Sequence, residues 1–295
     1  MSTKVGFIGV GNLGTPIAKN LLEAGYQLQV YNRTAAKIEE LGHNGVTVCA
    51  TPAEAAKDVQ FIVTVVSEDN VLKDITTRKD GILSTLPKNA IHISISTILP
   101  ETAKELAELH AQAGNHYLTA PVFGRPEAAA AKKLWACVSG PANVKEAGRP
   151  VLEATSQGII DFGDEAGLAN VVKVAGNFMI QVAIELMAEA YTVAEKYGVD
   201  RMKVHEFFTS SLFNAPIFVN YGKTVAKKDY SQVGFTTELG YKDARLAFSL
   251  SQKSQTPMPL VNVVHNRLLT AMARGRGDRD WAEGISGGVS EDAGV

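Results

Sequence analysis

The chain has 295 residues, 45% hydrophobic and 20% charged, which is the length of about two domains and excludes a disordered or fibrous polypeptide. With 29 Lys and Arg against 31 Asp and Glu the net charge is -2, so no global attraction to nucleic acid or anionic membrane is expected. Two cysteines, Cys49 and Cys137, are too few for a disulfide framework or a Cys-rich metal site and fit a reducing compartment.

Met1–Lys4 leads directly into apolar Val5–Ile8, too short for a secretory signal, and no run of about 18 apolar residues is free of charge. The cytoplasm is therefore the expected compartment, with no membrane partner. Runs 4–10, 27–31, 59–66, 90–96 and 134–139 are rich in Val, Ile and aromatics and read as strands. Several lack strict alternation, which suits strands buried on both faces of a parallel sheet. Between them, 12–24 and 101–113 carry apolar residues at helical spacing, and Thr51-Pro52 supplies an N-cap and a first-turn proline for a helix over 53–57. The strand–helix alternation predicts βαβ units in a doubly wound Rossmann-type sheet, the last unit ending near 158–162.

From Gly167 onward the sequence offers no convincing strand. Residues 169–197 form one helical run, roughly 43 Å long at the ideal rise. Further helices are predicted over 201–212, 219–227, 236–252 and 259–274, and the Gly- and acid-rich 286–295 reads as a loose tail. With a polar joint at Asp164–Gly167, the expected architecture is a dinucleotide-binding domain over 1–165 and an all-α substrate and dimerisation domain over 166–295, joined by the long helix.

Gly9, Gly11 and Gly14, with Val10, Asn12 and Leu13 between them, spell G-x-G-x-x-G after a strand and at the start of a helix. One glycine permits the tight turn, one lets backbone approach a pyrophosphate, and one allows close helix–strand packing; the helix N-terminus then faces the phosphates. An NAD-binding unit usually carries Asp or Glu after its second strand, but here the sequence reads Asn32-Arg33-Thr34. Arg33 can pair with a 2′-phosphate, and Asn32 and Thr34 can add hydrogen bonds, so NADP(H) is expected over NAD(H). Thr34 can also cap the helical stretch 35–41.

On the long helix, Lys173, Asn177, Gln181 and Glu185 recur every four residues as one stripe in surroundings that are otherwise apolar nearly all round. The stripe is either the helix's wet side or the wall of an interdomain cleft. In a cleft beside a nicotinamide, a desolvated lysine has its pKa pulled down from about 10.4 and can exchange a proton with a substrate oxygen. The six histidines, His43, His92, His110, His116, His205 and His265, have no ligand spacing, so no metal is expected and they read as surface or packing residues.

Together these residues resemble the β-hydroxyacid dehydrogenase family, which includes 3-hydroxyisobutyrate dehydrogenase, tartronate semialdehyde reductase and glyoxylate/succinic semialdehyde reductase. The run 6–21 is similar to its cofactor signature, and Asn32-Arg33-Thr34 to its NADPH-preferring members. Val66 and Ser67 resemble the loop along the cofactor, and Ser96-Thr97 the pair whose threonine lies near the nicotinamide ribose. Lys173 falls on the acid/base lysine, with Asn177 following it; Phe235 and Lys242-Asp243 resemble a motif near cofactor and active site, and 277–281 the closing segment. The resemblance departs at Val122-Phe123-Gly124-Arg125, where members acting on β-hydroxy acids carry a serine and glycines that hold the substrate carboxylate. Phe123 makes this substrate-binding stretch more apolar, and Arg125 can pair with a carboxylate.

The resemblance implies an NADPH-dependent reductase of a small aldehyde or keto acid, in which Lys173 passes the proton while Asn177 and Thr97 orient the partners. Two alternatives stand beside it. An imine reductase shares the two-domain plan but usually lacks this helix lysine; a cofactor-binding scaffold would have no need of it. A long apolar helix also predicts a homodimer through the C-terminal helices, with a cleft bordered by both subunits.

Overall fold

The computed structural model describes residues 3–295. The first unit, within 1–173, contains a parallel sheet of β1 (Lys4–Ile8), β2 (Gln27–Tyr31), β3 (Val46–Val48), β4 (Phe61–Thr64), β5 (Ile91–Ser94) and β6 (His116–Thr119). Their order is β3-β2-β1-β4-β5-β6. β1 pairs with β2 from Lys4 opposite Gln27, and with β4 from Val5 opposite Phe61. The order reverses at β1, and a ligand crevice forms outside the carboxyl ends of such strands.

β7 (Val122–Phe123), β8 (Leu134–Val138) and β9 (Ser156–Asp161) form a second, smaller sheet in which β7 runs antiparallel to β8. The expectation that the run from Leu134 continues the main sheet is thus corrected: Val122-Phe123 turns back onto it and starts a separate ribbon.

The helices of this unit are α1 (Gly14–Glu23), α2 (Pro52–Ala56), α3 (Asp69–Thr77), α4 (Pro100–Ala113), α5 (Pro126–Ala130) and α6 (Ala142–Glu153). Local chemistry sets their ends. Thr51 caps α2 by accepting from the Glu54 amide at 3.1 Å, with Pro52 in the first turn. Gly114 closes α4 in the left-handed region. The stretch Ala35–Leu41 is a 3₁₀ helix, and the Thr34 hydroxyl makes no capping bond to it. Strands buried on both faces divide the apolar core into two layers. Val5, Phe7, Val30, Val63 and Ile93 face one layer, with Ile17 and Leu21 of α1. Ile8 and Ile62 face the other, with Leu72 of α3 and Leu106 of α4.

α7 (Leu168–Lys196) runs 29 residues and carries the chain into the second unit, 174–295. There α8 (Arg201–Ser210), α9 (Pro216–Lys227), α10 (Thr237–Ser254), α11 (Pro259–Ala273) and α12 (Trp281–Ala293) follow. Ile184, Met187, Tyr191, Val225, Leu268, Trp281 and Ile285 form this unit's core.

Two expectations change here. Residues 286–295 are not a loose tail. Most of them belong to α12, which begins at an Asp280 cap and buries Ile285, Ser286 and Val289. α7 is also not buried on every side. Its polar stripe, Lys173, Asn177, Gln181 and Glu185, is buried, while Val171, Met179, Leu186 and Val193 are exposed. By length and composition α7 could cross a bilayer. Its inward polar groups instead mark a core helix of a globular fold, where buried polar groups find partners.

Candidate active site

The glycine turn joins β1 to α1, and its three glycines answer to three different constraints. Gly9 has φ +106°, and a Cβ there would meet the Val65 carbonyl oxygen at 2.1 Å. A Cβ on Gly14 would lie 1.8 Å from the Gly9 carbonyl oxygen. A Cβ on Gly11 would meet nothing within 4 Å, so this backbone faces open space at the start of α1. Leu13 occupies the N-cap and offers no side-chain cap. An open backbone cradle at a helix N-terminus suits a pyrophosphate.

Asn32, just after β2, holds this turn in place. Its Oδ1 accepts from the Val10 amide at 2.9 Å and its Nδ2 donates to the Thr34 carbonyl at 2.8 Å. The sequence suggests a hydrogen bond from Asn32 to the cofactor; its side chain also ties the glycine turn to the loop bearing Arg33 and Thr34, both exposed. A cleft of about 390 Å³ opens here, lined by Gly11, Asn12, Thr15 and Lys37 and also by the carboxylates of Glu40 and Glu127. Lys37 is absent from the expected site set. The available signal is its place four residues after Arg33, one turn into the following helical stretch.

Further along the same sheet edge, the Val66 amide donates to the Ser96 hydroxyl at 3.0 Å, linking the ends of β4 and β5. Ser67 is exposed and Thr97 half-buried beside them. The start of α7 is fastened to these strand ends. The Gly167 amide donates to Thr119 Oγ1 at 3.3 Å, the Ala169 amide to Ser139 Oγ at 3.0 Å, and Asn170 Nδ2 to the Ser96 carbonyl at 3.3 Å. Lys173 follows three residues later and is 9% exposed. Its Nζ lies 4.0 Å from the centroid of the Phe123 ring. Burial pushes the Cys137 thiol up, and the nearby Lys173 charge pulls it partly back.

Val122 is buried and Phe123 half-buried on β7, opposite Ala136 and Trp135 of β8. Gly124, with φ +140°, turns the chain beyond them. Its missing Cβ would meet Leu134 Cδ2 at 2.5 Å. Arg125 is half-buried just before α5.

In the second unit Asn177 Nδ2 donates to Asp243 Oδ2 at 2.6 Å, and Lys242 Nζ pairs with Asp243 Oδ1 at 2.7 Å. Asp243, expected only as the neighbour of Lys242 in a family-like motif, thus accepts a hydrogen bond from Asn177 and forms an ion pair with Lys242. The resemblance of Lys242-Asp243 to a family motif points to this pair, but not to its contact with Asn177. Phe235 packs edge-on against Trp281 at 4.8 Å, and its amide donates to the Asp280 carboxylate at 3.4 Å.

Comparison with known proteins gives this geometry a lineage. The family model described as the NAD binding domain of 6-phosphogluconate dehydrogenase matches residues 4–172. The model described as NAD-binding of NADP-dependent 3-hydroxyisobutyrate dehydrogenase matches residues 167–286. The chain is 39% identical to the uncharacterized oxidoreductase YfjR of Bacillus subtilis (strain 168), over 95% of this chain and 97% of that protein. It is 31% identical to 3-sulfolactaldehyde reductase of Escherichia coli (strain K12), covering 94% and 93% respectively. Among solved structures it is similar to Mycobacterium tuberculosis 3-hydroxyisobutyrate dehydrogenase with L-serine, at TM-score 0.87 and 27% identity, covering 97% and 98%. An imine reductase of Streptomyces aurantiacus, covering 96% and 98%, shares the fold alone, at TM-score 0.66 and 18% identity. The chain belongs to the β-hydroxyacid dehydrogenase family, NAD(P)-binding oxidoreductases that act on CH–OH groups.

Proposed function

We propose that this protein is an NADP(H)-dependent reductase of small aldehydes or keto acids, with Lys173 as the proton donor. It works in the cytoplasm as a homodimer, with cofactor binding assigned to the domain over 1–165 and substrate binding and dimerisation to the helical domain over 166–295. The observation that carries this reading is the setting of Lys173. It is a buried lysine on a helix fastened through Gly167, Ala169 and Asn170 to the strand ends of a dinucleotide-binding sheet. Relatives named as a 3-sulfolactaldehyde reductase and as 3-hydroxyisobutyrate dehydrogenases supply the substrate class, a small carbonyl or its alcohol.

The residues fit the cofactor. The backbone around Gly11 is open to a pyrophosphate, and Asn32-Arg33-Thr34 at the end of β2 holds no carboxylate; Arg33 and the cleft-lining Lys37 are the candidate partners of a 2′-phosphate, with Glu40 one turn beyond Lys37 on the same cleft. When bound, a nicotinamide supplies or accepts the hydride at the carbonyl carbon. Lys173 gives a proton from its ammonium to the oxygen as negative charge develops there, and the resulting amine is reprotonated from water. In the reverse direction the amine takes the hydroxyl proton. Asn177, one turn further along α7 and anchored by Asp243, orients the substrate oxygen, and Thr97 orients the cofactor side.

Initial rates of NADPH oxidation with glyoxylate, succinic semialdehyde, tartronate semialdehyde and a cyclic imine test the reading, with Lys173→Ala beside wild type. Carbonyl reduction faster than imine reduction, and lost by about a hundredfold or more in the variant, is expected. Full carbonyl activity without the lysine overturns the reading. For the cofactor, Arg33→Ala and Lys37→Ala each raise KM for NADPH about tenfold and leave KM for NADH nearly unchanged, as the loss of one charge-assisted phosphate contact predicts. Equal changes for both cofactors overturn the 2′-phosphate assignment.

A further inference from the structure

The Lys173 ammonium lies over an aromatic face. Its Nζ stands 4.0 Å from the Phe123 centroid, within the range at which a ring quadrupole attracts a cation. The ring is held from both sides of the chain. Phe123 is paired to Trp135 across β7 and β8, and the next residue, Gly124, is fixed in a left-handed turn against Leu134. We propose that Phe123 is a positioning and specificity-determining residue: its face caps one flank of the Lys173 ammonium and closes that flank to anionic groups, so the preferred substrates carry an uncharged substituent beside the carbonyl. This rests on the reading of Lys173 as proton donor.

The physical argument has two parts. A ring face favours the ammonium over the neutral amine and costs no side-chain reorganisation, because Phe123 is seated in a strand. The same electron-rich face repels a carboxylate and offers dispersion contact to an alkyl or planar group. Cys137 lies on β8, and Asn177 and Glu185 follow Lys173 along α7. Cys137 is a buried thiol whose ionisation burial disfavours. Asn177, one turn on, is uncharged and donates to the Asp243 carboxylate, which Lys242 also meets. The next charge along the helix stripe, Glu185, is paired with Arg267 at 2.9 Å.

The test compares wild type with Phe123→Tyr, Phe123→Leu and Phe123→Ser, using butanal and glyoxylate as the uncharged and anionic carbonyls. Wild type is expected to show the higher kcat/KM for butanal. Phe123→Ser shifts the ratio about tenfold or more toward glyoxylate. Phe123→Leu shifts the ratio toward glyoxylate less than Phe123→Ser does, because apolar bulk remains, and moves the basic limb of the kcat/KM profile to lower pH, because the quadrupole is gone. Phe123→Tyr restores the wild-type profile. A second readout needs no turnover: in ¹³C-lysine-labelled protein the Lys173 ε-methylene protons are shifted upfield by the ring in wild type and the Tyr variant, and not in Leu or Ser. An unshifted methylene in wild type, or a flat substrate ratio across the series, overturns the proposal. If Lys173→Ala retains carbonyl reduction, the acid/base reading itself falls. If that variant is inactive and the Phe123 series is flat, the acid/base reading stands and this inference alone fails.

Discussion

Gly11 and Gly14 belong to one turn but serve opposite ends, and substitution separates them. A methyl group at Gly14 would sit 1.8 Å from a carbonyl oxygen of the turn, with no flexible side chain to yield. Gly14→Ala should therefore cost about 3 kcal/mol or more by overpacking, read as a fall in the urea midpoint of the apoprotein. At Gly11 the same methyl meets nothing within 4 Å. Gly11→Ala should leave stability within about 0.5 kcal/mol of wild type and weaken NADPH binding about tenfold or more in a fluorescence titration, since it fills space a pyrophosphate needs. An unfolded Gly11→Ala protein, or one with wild-type affinity, would contradict this division of labour.

At the scale of elements, a chain of buried polar groups crosses from β4 through β5 to α4. Thr64 Oγ1 meets His92 Nε2 at 2.9 Å, His92 Nδ1 meets His110 Nε2 at 2.9 Å, and His110 Nδ1 meets Asn115 Oδ1 at 2.6 Å. An amide oxygen can only accept, so His110 Nδ1 carries a proton, and with neutral rings the polarity runs one way from the Thr64 hydroxyl to Asn115. Burial holds His92 well below 6.5 and His110 down at about 4. Above pH 6.5 neither folded nor unfolded chain charges these rings and the fold keeps their full contribution. Below it the unfolded chain takes up protons first, and stability drains until His110 itself protonates. For His110 alone the loss amounts to about 3 kcal/mol at pH 4. The urea midpoint should fall steeply between pH 6.5 and 4, and His110→Gln should flatten that fall while costing about 1–3 kcal/mol at pH 7. A pH-independent midpoint in wild type would rule the neutral chain out.

Legibility in the sequence follows the same division between local and distant partners. The glycine turn, the long helix and the lysine stripe are local patterns, and the fold class follows from them. α3 escapes a reading by composition because Asp69–Thr77 holds Val71, Ile75, Thr76 and Thr77, a β-branched set with low helix propensity. α6 hides behind Gly148 and Pro150, and β3 and β7 are too short for alternation to register. In the site, the roles of Asn32 and Asp243 depend on partners 22 and 66 residues away, which no spacing rule encodes.

For the whole molecule, the decisive feature is that α7 is inverted relative to an ordinary surface helix. Its polar stripe from Lys173 to Glu185 is inside, and an apolar line is outside, with Met179 68%, Leu186 52% and Val193 59% exposed and Glu189 exposed between the last two. These positions and Val171 recur at intervals of seven or eight residues, about two helical turns, so they lie along one side of the rod. A contiguous apolar line on a globular protein marks an interface, and a self-complementary patch on a helix is covered most simply by its own copy about a two-fold axis. The protein should therefore sediment as a dimer. Met179→Glu combined with Leu186→Glu would desolvate charges at that contact, shifting the protein to monomer at micromolar concentration while the far-ultraviolet circular dichroism spectrum stays unchanged. A wild-type monomer, or a double variant that remains dimeric, would mean that another surface, or none, joins the subunits.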